Sequence, residues 1–211
     1  MQPIFITGTD TNIGKTFISA IIMAGLQASY WKPIQSGLSD GSDTDWLKSV
    51  TRLDHSHFCA ETYLLNDPLS PHAAAFNQNV EIALSCIKLP EYKFRPLIIE
   101  GAGGVMVPIN RQAYIIDVIK HLNAKVIVVA PNKLGVINHT LLTLMALRSY
   151  KLDIMGVILN GPPNQVNFDS IELYGKVKVL AQIEHLAKIN KENLKQIFDS
   201  KLYNYFLDYL N

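Results

Sequence analysis

The chain has 211 residues, 48% of them hydrophobic, and we expect residues 1–211 to form one domain with a sizeable core. Its formal net charge is +1, and no long block of like charges provides the electrostatic footprint of a nucleic-acid or acidic-membrane binder. No signal precedes the first predicted strand and no apolar run approaches the roughly 20 residues that span a bilayer, so we expect a cytoplasmic protein that binds neither nucleic acid nor membrane.

Apolar strand-like runs alternate with helical stretches along the chain. Strands are predicted at 3–7, 29–32, 96–100, 125–130, 154–160 and 178–183. Helices are predicted near 15–27, 43–52, 80–88, 113–122, 135–150, 166–174 and in two last stretches from about 190. Several strands are continuously apolar, as in parallel sheets covered on both faces. This alternation predicts a doubly wound α/β fold with a mainly parallel sheet, and ligands of such sheets bind where strands end.

The first predicted strand leads into the segment GTDTNIGKT, residues 8–16, and then into an apolar helix. Glycine lets the backbone approach an anion, and the amides that open a helix point at it. Lys15 adds a charge, and Thr16 offers a hydroxyl to Mg²⁺. Five residues rather than four separate Gly8 from Gly14, so the loop departs from the usual phosphate-loop spacing. The strand and helix around it favour a nucleoside triphosphate site over a chance Gly-Lys-Thr.

Lys32 follows the second predicted strand, and Ser36 comes four residues later. Both are expected at the sheet edge that carries the phosphate loop, so that two lysines converge. Lys32 would then stabilise charge on a transferred phosphoryl group, and Ser36 would bind substrate. The alternative for Lys32 is an ordinary solvated lysine after a strand.

The polar segment 39–46 contains three carboxylates, Asp40, Asp43 and Asp45, and runs into a predicted helix. Mg²⁺ usually takes one or two protein carboxylates together with phosphate oxygens and water. Helix capping is the competing role for residues of this kind. We assign the cap to Asp43 or Thr44 and the metal to Asp45.

The third predicted strand ends in Glu100, and a glycine-rich turn over Gly101, Ala102, Gly103 and Gly104 follows. Glu100 is placed to bind Mg²⁺ or its water, and the small residues let backbone amides approach ligand oxygens. A merely structural glutamate is the alternative.

Further along, the segment 131–140 opens a long apolar helix whose amino terminus attracts carboxylate. We interpret this segment as substrate-binding rather than catalytic, although Asn138 and His139 also fit solvent-facing positions in a first turn.

Four segments, GTDTNIGKT, KPIQSG, EGAGG and KLGVINHT, together with Ser70-Pro71-His72, resemble the dethiobiotin synthetase family in content and order. The resemblance covers roughly residues 1–160, and the joint order is far more specific than any single motif. It implies an ATP- and Mg²⁺-dependent ligase of biotin biosynthesis. Such an enzyme carboxylates 7,8-diaminopelargonic acid with carbon dioxide or bicarbonate and closes the ring of dethiobiotin, releasing ADP and phosphate.

The resemblance also implies roles for individual residues. It implies a homodimer in which the KLGVINH segment reaches the substrate carboxylate of the other subunit, and it makes Lys32 and Lys15 catalytic. The implied metal ligands are Thr16, Asp45 and Glu100. The implied substrate-binding residues are Ser36, Gly135, Val136, Ile137 and Asn138. The implied nucleotide-binding residues are Asn12, Ile13, Gly14, Lys15, Thr16, Phe17, Glu100, Gly101, Ala102, Gly103, Asn160 and Gly161.

One departure concerns the nucleotide base. Family members tend to carry a proline-containing strand end that clasps the base, whereas this chain has AQIEHL at 181–186. We therefore hypothesise weaker base discrimination than is usual in the family.

Two rival functions share the scaffold. A dimeric switch ATPase typically has an additional lysine near the start of the loop, which Thr9-Asp10-Thr11 lacks. A non-catalytic nucleotide-binding module has little need of Lys32, Ser36 and Glu100.

Overall fold

The computed structural model describes residues 1–39 and 41–207. The strands are β1 Ile4–Gly8, β2 Ser29–Trp31, β3 Ile34–Ser36, β4 Tyr63–Leu65, β5 Leu97–Gly104, β6 Lys125–Pro131, β7 Ile154–Asn160 and β8 Val179–Ile183. The α-helices are α1 Lys15–Leu26, α2 Asp43–Thr51, α3 Pro71–Asn77, α4 Ile115–His121, α5 Val136–Ser149, α6 Gln165–Gly175 and α7 Lys191–Ile197. Within the described ranges, no helix is long and apolar enough to cross a membrane.

Six strands form one parallel sheet in the order β2-β5-β1-β6-β7-β8, and β3 pairs with β4 in a small second sheet. The prediction of a doubly wound α/β fold with a mainly parallel sheet is confirmed, and all six predicted strands are present. Successive residues of β1 serve opposite faces of the sheet: Phe5 packs in one buried cluster, while Ile4 and Ile6 pack in the other. Both faces are therefore covered, which explains why the strands are continuously apolar.

The helix prediction for residues 80–88 is wrong. Only a 3₁₀ turn, Leu84–Cys86, forms there. Ile82 and Ile87 are both buried, and two positions five residues apart lie on different faces of an α-helix. An irregular backbone buries both of them.

The chain after about residue 190 forms α7, a π-helical turn at Phe198–Leu202 and a 3₁₀ turn at Tyr203–Tyr205.

Strand pairing decides which side chains meet at the edge of the sheet. Ile6 of β1 pairs with Glu100 of β5, two residues before β1 ends at Gly8. Trp31 of β2 pairs with Ile99, so Lys32 follows on the other side of Glu100. Because β5 lies between β1 and β2, Glu100 is placed between the phosphate loop and Lys32.

Candidate active site

The segment between β1 and α1 is a loop whose last residue before the helix, Gly14, has a left-handed backbone with φ of 94°. A Cβ at this position would lie 2.1 Å from the side-chain nitrogen of Asn160. That amide instead donates a hydrogen bond to the carbonyl of Ile13 at 2.9 Å. The loop needs glycine here both for its backbone conformation and for the approach of Asn160 from the end of β7.

Lys15 is the first residue of α1, and only 7% of its surface is exposed. Its Nζ donates to the carbonyl of Asp10 across the loop at 3.1 Å. Burial lowers the pKa of Lys15, and the nearby charge of Glu100 opposes this effect. A buried ammonium group at the amino end of a helix favours an anionic ligand, since a phosphate supplies the countercharge that the protein provides only in part.

Glu100 is 1% exposed and accepts hydrogen bonds from side chains of α1, of β2 and of Lys32, which follows β2. Oε1 lies 2.8 Å from Thr16 Oγ1 and 3.2 Å from Lys32 Nζ. Oε2 accepts from Ser19 Oγ and from Tyr30 Oη, each at 3.0 Å. A buried carboxylate needs such partners, because an ion removed from water without them costs several kcal/mol.

Lys32 is 5% exposed and pairs with two carboxylates, those of Glu100 and Asp43. Burial acts to lower the pKa of Lys32, but the charges of Glu100 and Asp43 outweigh it and raise the pKa. The amine is therefore an ammonium ion at neutral pH. A solvated surface lysine, the alternative considered from the sequence, does not describe this residue.

Helix α2 presents Asp43, rather than Asp45, to the phosphate loop. Ser42 is the N-cap, and its hydroxyl accepts from the Asp45 amide at 3.0 Å, so the prediction of a cap at Asp43 or Thr44 is wrong. The Asp45 side chain is 66% exposed, and its carboxylate contacts Ser42 at 2.8 Å and Lys48 at 3.5 Å. Asp43, not the predicted Asp45, is therefore the α2 carboxylate beside Thr16, with Oδ1 3.1 Å from Thr16 Oγ1. Asp40, the other carboxylate of the segment, lies outside the described residues.

Three oxygen atoms converge where a cation would meet bound phosphate. Thr16 Oγ1 lies 3.1 Å from Asp43 Oδ1 and 2.8 Å from Glu100 Oε1. One hydroxyl and two carboxylates are the hard donors that Mg²⁺ prefers, with phosphate and water oxygens completing the shell. Among the described residues, no group of three or more His, Cys, Asp or Glu side chains forms a metal cage. The residues present therefore fit a magnesium ion that is held jointly with a nucleotide.

These groups line a cavity of about 810 Å³. Sequence-predicted site residues that line it are Asn12, Ile13, Gly14, Lys15, Thr16, Phe17, Lys32, Ser36, Glu100, Ala102 and Gly103. Other residues that line the cavity were not predicted to belong to a site, namely Thr11, Gln35, Gly37, Ser39, Gly41, Asp43, Trp46, Pro68, Leu69 and Val107. Ser70 and Pro71 also line it, and only the family resemblance pointed to them. The cavity is large enough for part of a nucleotide together with a small substrate.

Other predicted residues lie outside this cavity. A Cβ on Gly101 would lie 2.7 Å from the Phe5 ring, so this glycine packs against the core. Asn160 ends β7 and contacts the phosphate loop through the carbonyl of Ile13, and Gly161 follows it, with its amide donating to the carbonyl of Ile183 at 2.8 Å. The segment Gly135, Val136, Ile137 and Asn138 opens α5 and does not line this cavity, and Val136 is buried.

Comparison with known proteins is consistent with this geometry. The model of an AAA domain family matches residues 2–193. The ATP-dependent dethiobiotin synthetase BioD of Lawsonia intracellularis is 47% identical over 92% of this chain and 93% of its own length. The enzyme of the same name from Paramagnetospirillum magneticum is 44% identical over 90% and 91%. A ParA family ATPase from Chlorobium tepidum superposes with a TM-score of 0.57 over 100% of this chain and 99% of its own, at 15% identity, which shows the fold alone. The chain belongs to the ATP-dependent dethiobiotin synthetase family of AAA-domain proteins.

Proposed function

We propose that the protein uses ATP and Mg²⁺ to carboxylate 7,8-diaminopelargonic acid and close the ureido ring of dethiobiotin, releasing ADP and phosphate. The observation that carries the proposal is the convergence of Lys15, Thr16, Lys32, Asp43 and Glu100 on one cavity. Family membership indicates the reaction, and this convergence provides two ammonium groups and two carboxylates around the position of a terminal phosphoryl group.

The reaction needs the carbamate of one substrate amine to attack the γ-phosphorus of ATP, so that ADP leaves. The mixed carbamic-phosphoric anhydride is then attacked by the second amine, which closes the ring and expels phosphate. Lys15 and the loop amides hold the phosphates, and Lys32 neutralises charge on the transferred group. Mg²⁺ bound by Thr16, Asp43 and Glu100 would neutralise phosphate oxygens. The protein mainly orients the reactants, since phosphorylation itself makes the carbamate oxygen a good leaving group.

Ser36 is proposed to contact the diamine substrate. Its Oγ is buried and has no hydrogen-bond partner among the described residues, yet the residue lines the cavity at the end of β3. An unpaired buried hydroxyl is costly unless a ligand completes its hydrogen bonding. Substrate amine or carbamate groups would provide that partner.

A homodimer explains why the Gly135–Asn138 segment lies away from the cavity of its own chain. Exposed apolar side chains lie at Leu134, just before Gly135, and on α5. More of them lie on α6, which packs beside α5. Leu134 is fully exposed, and Met145 is 64% exposed. The other members of this surface are Leu142, Val166, Leu173 and Tyr174. A second copy docked here would bury these side chains and bring its own Gly135–Asn138 segment to a substrate carboxylate.

Phosphate release measured with and without diaminopelargonate and bicarbonate tests the activity. We expect release to depend on both compounds and mass spectrometry to show dethiobiotin in equal amount to phosphate. A switch ATPase on the same scaffold would release phosphate without either compound, which would refute the proposal.

Sedimentation of Met145→Glu tests the dimer. This variant should sediment as a monomer, whereas Leu89→Glu, at a site 44% exposed on another segment, should remain dimeric.

A further inference from the structure

The two oxygens of Glu100 have different partners. Oε1 faces the cavity and contacts Thr16 Oγ1 and Lys32 Nζ. Oε2 faces the core, where Ser19 and Tyr30 donate hydroxyl protons to it at 3.0 Å each. The carboxylate thus has an outer oxygen for the reaction site and an inner oxygen that the fold itself occupies.

Ser19 and Tyr30 reach Glu100 because of where their elements lie. Ser19 is three residues after Thr16 on α1, so both hydroxyls lie on the same face of that helix. Tyr30 is on β2 and pairs with Ile98, two residues before Glu100 on the neighbouring strand. Both side chains are 0% exposed, and neither lines the cavity. Glu100 is the cavity-lining residue that both hydroxyls contact.

A glutamate carboxylate rotates freely about its last torsion unless something holds it, since that torsion has a broad, two-fold energy profile. Two donors on Oε2 restrict this rotation and direct Oε1 at Thr16. Groups that hold a metal ligand in place typically alter metal affinity 10- to 100-fold when they are removed.

We propose that Tyr30 and Ser19 are positioning residues that lock Glu100 through its inner oxygen, so that its outer oxygen is fixed toward Thr16 and the nucleotide-bound cation. The inference rests on the proposed function in one respect only, which is that a divalent cation binds together with a nucleotide. It extends the site to a second layer of hydroxyl groups that contact neither substrate nor metal.

The test is Mn²⁺ binding in the presence of ADP, followed by electron paramagnetic resonance, which needs no turnover. Tyr30→Phe and Ser19→Ala each remove one donor and little volume, and each should weaken Mn²⁺ binding about 10-fold, at the low end of the range for such partners because the other donor remains. Tyr63→Phe is the matched control. It removes a hydroxyl that accepts from the Ala83 amide at 3.0 Å away from the cavity, and it should leave Mn²⁺ affinity unchanged.

A thermodynamic cycle with Glu100→Gln shows whether the effect passes through Glu100. If the positioning role is correct, Tyr30→Phe weakens Mn²⁺ binding in the wild-type background and adds little in Glu100→Gln. Equal losses in both backgrounds, or wild-type Mn²⁺ affinity in both Tyr30→Phe and Ser19→Ala, would overturn the proposal. Should Tyr30→Phe fail to fold, Ser19→Ala decides alone. A protein that binds Mn²⁺ with ADP but does not form dethiobiotin would contradict the proposed function and leave the positioning result standing.

Discussion

Replacing Lys32 by alanine is expected to slow turnover much more than it weakens nucleotide binding. The Lys32 ammonium contacts Glu100 and Asp43 in the cavity, whereas the phosphate contacts proposed above are those of Lys15 and the loop amides, which this substitution leaves in place. Removing a preorganised donor aimed at developing charge typically lowers kcat by about 10²- to 10³-fold, and we expect Lys32→Ala to fall in that range. Phosphate release with diaminopelargonate and bicarbonate measures kcat, and isothermal titration with ADP measures binding.

The same substitution also tests the buried ion pair. Removing one partner of such a pair typically costs about 3–5 kcal/mol of folding stability. We expect about 3 kcal/mol, the lower end of that range, because Glu100 keeps three hydroxyl donors and the Asp43 side chain is 31% exposed. At about 2–4 °C per kcal/mol for a chain of this size, Tm should fall by about 6–12 °C.

Adding Glu100→Gln to Lys32→Ala provides the control. It removes the unpaired buried charge, so part of the lost Tm should return although activity stays low. Turnover of Lys32→Ala within twofold of wild type, a threshold well below the expected loss, would refute the catalytic assignment. An unchanged Tm would show instead that the pair contributes nothing to stability.

Three further predictions concern the nucleotide. Gly14→Ala should lower both ADP affinity and Tm more than Gly41→Ala. Both residues have φ near +90°, but a Cβ at Gly41 meets no described atom within 4 Å, whereas at Gly14 it displaces Asn160 from its hydrogen bond, worth about 1 kcal/mol. Burial lowers the pKa of Lys15 and bound phosphate raises it, so in alkaline buffers ADP should bind with proton uptake and lose affinity as pH rises through the lowered pKa. Titration in buffers of different ionisation enthalpy measures this uptake, and Lys15→Arg, whose guanidinium does not titrate, should abolish it. ATP and GTP should give comparable kcat/KM if the missing proline in 181–186 weakens base discrimination; a preference for ATP of about a hundredfold, or 2.7 kcal/mol, would contradict this.

The sequence predicted the main sheet and the convergence of Lys32 with Glu100, because continuously apolar strands indicate a parallel sheet whose carboxyl ends meet at one edge. It did not predict β3 and β4, because Ile34-Gln35-Ser36 contains a single apolar residue and Tyr63-Leu64-Leu65 shows no alternation. The choice between Asp43 and Asp45 depends on helical phase. Residues two positions apart on a helix are separated by about 200° around its axis, so only one of these two aspartates faces the loop. The Ser42 cap determines which one it is.

The described cavity-lining residues include four ionisable side chains, Lys15, Lys32, Asp43 and Glu100, and their formal charges cancel. A site with no net charge draws a polyanion in from a distance only weakly, because long-range attraction requires an excess of one sign. Association of nucleotide should therefore depend little on ionic strength. Bound nucleotide replaces contacts that the lysines and carboxylates make with one another. Differences in affinity between ligands then arise mainly from differences in their dissociation rates.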